Sequence, residues 1–104
     1  MTQGATPSQI LTSVAETLVV KQQYESVEDA LWEIALSAVK SKASHYRQRI
    51  RRLERKYGVD FEHFTAGLIN RAPPAEEDDW RTWRSAVAML RDWDSTYQEL
   101  MTLR

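Results

Sequence analysis

Cysteine is absent from this chain of 104 residues, which removes disulfides, zinc-thiolate sites, iron-sulfur clusters and thiol nucleophiles in one step. Glycine and proline are scarce, at 3 each, so long regular elements are favoured over a loop-rich or disordered chain. No apolar run approaches the ~20 residues needed to span a bilayer. The opening Met1-Thr2-Gln3-Gly4-Ala5-Thr6-Pro7 lacks the basic and apolar segments of a signal peptide, and a cytoplasmic location is the expectation. Charge of one sign is lacking too: the formal net charge of -1 gives no bulk attraction to nucleic acid or anionic membrane.

What is present is helix grammar. The length suits a single domain over 1–104, with residues 1–5 expected to fray. Thr6-Pro7-Ser8-Gln9 reads as a capping box with proline in the first turn. Ile10, Leu11, Val14, Ala15 and Leu18 then follow at helical spacing. The β-branched run near Thr17-Leu18-Val19-Val20 suits either a continuation of this helix or a short strand.

Ser26-Val27-Glu28-Asp29 is a second start signal, and Lys56-Tyr57-Gly58 supplies a basic last turn with glycine just beyond it. The helix between them, about 26–57, has two kinds of surface. Ala30 to Val39 is apolar around most of its circumference, which calls for burial on more than one side. Val39, Ala43, Tyr46, Ile50, Leu53 and Tyr57 then repeat at alternating 4 and 3 spacing, a coiled-coil seam that wants one partner helix. Asp60 caps a short helix carrying Phe61, Phe64, Leu68 and Ile69, which Ala72-Pro73-Pro74 ends. The last helix, about 76–101, opens on the acidic Glu76-Glu77-Asp78-Asp79 and carries Trp80, Trp83, Val87, Leu90, Tyr97 and Leu100, with Ala86, Met89 and Trp93 as a second apolar edge. Asp94 falls where the main stripe should continue. The expected fold is all-α: an elongated hairpin of the two long helices, antiparallel, with a short N-terminal helix and a short connecting helix.

Lys40, Lys42, Arg47, Arg49, Arg51, Arg52, Arg55 and Lys56 stand against Glu54 alone. Two readings remain open. The acidic run at Glu76 to Asp79 could neutralise the basic end of the long helix across the hairpin, or Arg47, Arg51 and Arg55 could form a free stripe for phosphate or an acidic partner. Of the four tryptophans, Trp80 and Trp83 lie on the expected seam, whereas Trp32 and Trp93 suit either a core edge or an interface anchor.

Nothing in the chain reads as catalytic. His45 and His63 sit in solvated settings, no metalloprotease, nucleophile-elbow or phosphate-loop motif occurs, and neither histidine has an arginine at the Arg-x4-6-His spacing of helical HEPN ribonucleases. The paired carboxylates at Glu28-Asp29 and from Glu76 onward fall at helix starts, where the helix dipole accounts for them. No catalytic, metal or cofactor site is expected, and the chain reads as a binding protein.

Tyr24-Glu25-Ser26-Val27-Glu28-Asp29-Ala30-Leu31 with Ala35-Leu36, and later Arg55-Lys56-Tyr57-Gly58-Val59-Asp60-Phe61-Glu62-His63-Phe64, resembles the small helical antitoxins of prokaryotic two-gene toxin-antitoxin modules, over about half of the chain. The resemblance implies a neighbouring toxin neutralised by direct contact, and repression of the module's own promoter. The chain departs from it in having no ribbon-helix-helix or helix-turn-helix segment. On physical grounds, surplus apolar surface at Leu18, Val19, Trp32, Leu36 and Trp93 is the expected docking region, for a toxin or for a second copy in a homodimer. The rival expectation is a nucleic-acid-associated protein using Arg47, Arg51 and Arg55.

Overall fold

The computed structural model describes residues 4, 6–21, 24–69, 71 and 73–104. Among them the chain forms four helices and no strand, in the order α1 (Pro7–Val20), α2 (Val27–Tyr57), α3 (Phe61–Leu68) and α4 (Pro74–Met101). The all-α expectation holds. Fraying was expected for residues 1–5, which, Gly4 apart, lie outside the described residues, as does Ala72.

Local chemistry explains where each helix starts. Thr6 and Gln9 close a full capping box: the Gln9 amide donates to Thr6 Oγ1 at 3.1 Å and the Thr6 amide to Gln9 Oε1 at 2.8 Å, each satisfying a donor that the first turn leaves open. The Asp29 amide donates to Ser26 Oγ at 3.1 Å, and the His63 amide to Asp60 Oδ1 at 2.9 Å. The segment that suited either strand or helix is helical, as α1 continues through Val20. Thr17 is accommodated there, its hydroxyl donating back to the Ser13 carbonyl at 2.9 Å, a partner it finds without leaving the helix.

Two boundaries differ from the sequence expectation. Helix α4 opens at Pro74 rather than near Glu76, because proline needs no amide partner in a first turn and its fixed φ already suits the helix. Helix α3 stops at Leu68, with Ile69 extended at φ -60 and ψ 124, where Gly67 in its final turn weakens helix propensity. Gly58 ends α2 at φ 71, a left-handed conformation that costs any other L-residue about 1–2 kcal/mol. Gly58→Ala is therefore expected to destabilise the protein by about 1 kcal/mol, even though its new methyl would meet no atom within 4 Å. A urea titration checks this, and an unchanged midpoint would show that the turn relaxes freely.

The chain divides into two compact units, 1–38 and 39–104, with α2 contributing to each. In the first, Ala15 and Ala30 are fully buried, and Leu31, Trp32, Ile34, Ala35 and Leu36 are half-buried, consistent with a segment apolar around most of its circumference. In the second, the rest of α2 and α4 run antiparallel: Arg47 meets Asp94, whereas Lys56, further along α2, meets Asp79, further back along α4. Both long helices thus enter a hairpin, as the seam predicts. Val39, Ala43 and Leu53 of that seam are buried, and Tyr46, Ile50 and Tyr57 half-buried.

The closed end of the hairpin holds the main core. Leu53 of α2, Phe64 of α3 and Trp83 of α4 are buried together, with Ile50, Tyr57, Phe61, Leu68, Trp80 and Val87 packed around them. The Trp83 indole lies 5.2 Å from the Phe64 ring, 5.6 Å from Phe61 and 6.2 Å from Tyr57, inside the range where aromatic pairs attract beyond simple burial. Trp80 secures α3 to α4 by donating from Nε1 to Thr65 Oγ1 at 3.0 Å, and Arg84 lies over its ring at 4.8 Å.

Candidate interaction surfaces

No helix among the described residues is long and apolar enough to cross a membrane, and no group of three or more potential metal-ligating side chains occurs among them. The surfaces that remain are one apolar and one basic.

The apolar surface belongs to α1. At about 100° per residue, Ile10, Val14, Leu18, Leu11, Ala15 and Val19 fill a continuous arc of about 180°, far more than one buried seam requires. Only the Ala15 edge is fully covered. Leu18 and Val19 are half-buried, while Ile10, Leu11 and Val14 are 53%, 49% and 46% exposed and Val20 is 80% exposed. The apolar stripe of α1 is therefore largely outward. Of the residues singled out beforehand, Leu18, Val19, Trp32 and Leu36 share the first unit and are all half-buried, and Trp93 belongs to the second. The Trp93 Nε1 is enclosed without a hydrogen-bond partner among the described residues. Ile10, Leu11 and Val14 were missed as surface, although the width of the arc was the signal that one neighbour could not cover it.

The basic surface belongs to α2. Its expected neutralisation by the start of α4 is confined to one cation. Lys56 Nζ reaches Asp79 Oδ2 at 2.7 Å, and the Tyr57 hydroxyl donates to the same carboxylate oxygen. These two donors hold the Asp79 carboxyl below its ordinary value, and Asp79 in turn raises Lys56 and Tyr57. The other acids at that end are taken locally: Glu76 pairs with Arg71 at 3.1 Å, Glu77 with Arg81 at 2.7 Å, and Asp78 lies 3.9 Å from Arg81. Arg47 is occupied by Asp94 at 3.4 Å, which also explains the carboxylate that interrupts the apolar stripe of α4. Arg51 and Arg55 are exposed and form no ion pair among the described residues. Both line an open depression of about 350 Å³ with Gln48 and Arg52.

Charge is segregated between the units. Residues 1–38 carry Lys21 against Glu16, Glu25, Glu28, Asp29 and Glu33, whereas 39–104 carry 13 lysines and arginines against 10 carboxylates. The near-zero total conceals an acidic unit bearing the apolar arc and a basic unit bearing the free arginines. No family model, curated protein or solved structure matches this chain.

At the start of α3, His63 Nδ1 lies 2.6 Å from Asp60 Oδ1. The hydrogen bond to Asp60, reinforced by its charge, raises the imidazole, and the His63 amide and ring hold Asp60 low. Both groups are exposed, and the same Asp60 oxygen also accepts the His63 amide at 2.9 Å, so the pair belongs to the cap of α3.

Proposed function

We propose that this protein is a non-enzymatic binding module of the cytoplasm that docks a protein partner on the uncovered apolar arc of α1, and that the partner is a toxin neutralised by direct contact. The observation that carries this reading is the half-exposed set Ile10, Leu11 and Val14 beside Leu18 and Val19. Clustered apolar side chains left open to water favour a second molecule that removes them from it. The five carboxylates and single lysine of the same unit define the partner's chemistry further: an apolar docking face rimmed by cations, since opposite charge at the rim speeds encounter and fixes orientation. Trp32 and Leu36, half-buried in the same unit, are the remaining contacts assigned to this interface. Leucine, valine and tryptophan anchors supply the binding energy and the acidic residues supply selectivity.

The test is co-expression with the product of the adjacent reading frame, followed by a native mass measurement. The wild type is expected to co-purify with that product at fixed stoichiometry. Ile10→Asp with Val14→Asp should weaken the complex at least about tenfold while leaving helical content unchanged, because both positions already face water. Trp32→Asp with Leu36→Asp should abolish it. A double variant at Ile10 and Val14 that still co-purifies removes this docking surface, and a homodimer with no second component replaces the toxin by a second copy of the chain.

A further inference from the structure

The outward face of α2 in the second unit serves no purpose in the docking surface just proposed. Arg51, Arg52 and Arg55 are all exposed there and, with Gln48, line a depression of about 350 Å³ that no carboxylate enters. Arg51 and Arg55 are one turn apart, about 6 Å along the axis, so their guanidinium groups can act together on one side of the helix. An adjoining open depression of about 500 Å³ does take in Glu54 and Asp60, so the acid-free ground lies toward Gln48 and Arg52.

The cations on this face are left over, not balanced. The neighbouring Arg47 and Lys56 each hold a carboxylate from α4, yet none of Arg51, Arg52 and Arg55 has one among the described residues, in a unit with more cations than acids. Three like charges within two turns repel one another, and an anion placed between them relieves that repulsion. Guanidinium is suited to this task because its planar fork donates two parallel hydrogen bonds to phosphate oxygens. The depression contains no large apolar side chain that could anchor a peptide, whereas protein interfaces draw their affinity from such anchors. A partner held there is held by charge and hydrogen bonds alone, which describes the phosphate backbone of a nucleic acid.

We propose that Arg51, Arg52 and Arg55, with Gln48, form a phosphate-binding face for a nucleic-acid backbone, independent of base sequence. It contacts backbone only and uses no helix placed in a groove. Single-stranded and duplex chains share the chemistry it recognises.

Fluorescence anisotropy of the full chain with labelled single-stranded RNA, single-stranded DNA and duplex DNA tests this. Binding to at least one is expected at low salt, with log K falling against log salt at a slope of magnitude about 2–3, as three phosphate contacts imply. Arg51→Gln, Arg52→Gln and Arg55→Gln together should lower affinity at least about tenfold and flatten the slope. Lys40→Gln, Lys42→Gln and Arg91→Gln, an equal loss of charge elsewhere in the unit, should lower it less than about threefold. All six positions are exposed, and unchanged circular dichroism certifies the fold. The proposal is overturned by absence of binding to all three probes at low salt, or by equal losses in the two triple variants. It is also overturned if an acidic peptide displaces the probes and itself binds more tightly.

Discussion

Replacing Trp83 by alanine is expected to cost about 3–5 kcal/mol, a large fraction of the 5–15 kcal/mol that holds a typical small domain together. The reasons are additive. Trp83 is the largest fully buried side chain, with 0% exposure, and from α4 it meets aromatic rings of the other two helices at the closed end of the hairpin, Tyr57 on α2 and Phe61 and Phe64 on α3. Alanine removes the transfer energy of the indole and leaves a cavity that Phe64 and Leu53 can only partly fill. One term opposes the loss. The Trp83 Nε1 is buried with no hydrogen-bond partner among the described residues, and an unsatisfied buried donor costs about 1–3 kcal/mol. Trp83→Phe keeps most of the ring volume and deletes that donor, so it is expected to cost less than half as much as Trp83→Ala. Urea unfolding followed by circular dichroism checks both variants. If the two are equally destabilised, ring volume at this position is not what closes the hairpin; if alanine leaves the midpoint unchanged, the aromatic cluster is not its core.

The fold was legible wherever one residue type admitted one local solution. The Thr6-Gln9 box, the Ser26 cap, the Gly58 stop and the Asp60 cap are all in place, because each satisfies backbone groups that water would otherwise have to satisfy. The seam from Val39 to Tyr57 and the stripe from Trp80 to Leu100 are buried or half-buried in the structure, since a period of 3 and 4 has only one face to hide. Pro74 was misread as a breaker because proline is equally at home in a helix's first turn. The interaction surfaces were less legible. Periodicity says which side chains share a face, but Ile10, Leu11 and Val14 carry the same pattern whether a neighbour covers them or not. Likewise, a run of arginines has the same sequence whether its counterions lie across a hairpin or are missing. The distinction rests on Asp94 and Asp79 reaching Arg47 and Lys56 while Glu76 and Glu77 turn to Arg71 and Arg81, a choice set by tertiary geometry.

Asp79 carries the other large expected effect, and its signature lies in pH. Its carboxylate accepts from Lys56 Nζ and from the Tyr57 hydroxyl, tying the last turn of α2 to the first turns of α4. Lys56 is well exposed, with 58% of its side chain open to solvent, so the ion pair itself adds little. The half-buried Tyr57 hydroxyl is different, because a hydrogen bond to a charged acceptor contributes about 1.5–3 kcal/mol. Asp79→Asn keeps an acceptor but removes the charge, and is expected to cost about 1–2 kcal/mol near neutral pH, or about 5–10 °C in melting temperature for a unit of this size. The two donors depress the Asp79 carboxyl below its ordinary 3.8, so the folded state binds its proton less readily than the unfolded chain does. The resulting stability is present above 3.8 and disappears as pH falls through the lower folded value. Tyr57 and Lys56 are raised above 10.0 and 10.5, so their share is present below those values and disappears as pH rises through the folded ones. The gap between wild type and Asp79→Asn should therefore be widest between these limits and narrow on both sides. Tyr57→Phe should lose the phenol's part of the alkaline limb while keeping that of Lys56. Melting curves across the pH range decide the matter: a gap that stays constant down to strongly acidic pH would mean that the asparagine disturbs packing, and that the charge on Asp79 does not hold the two helices together.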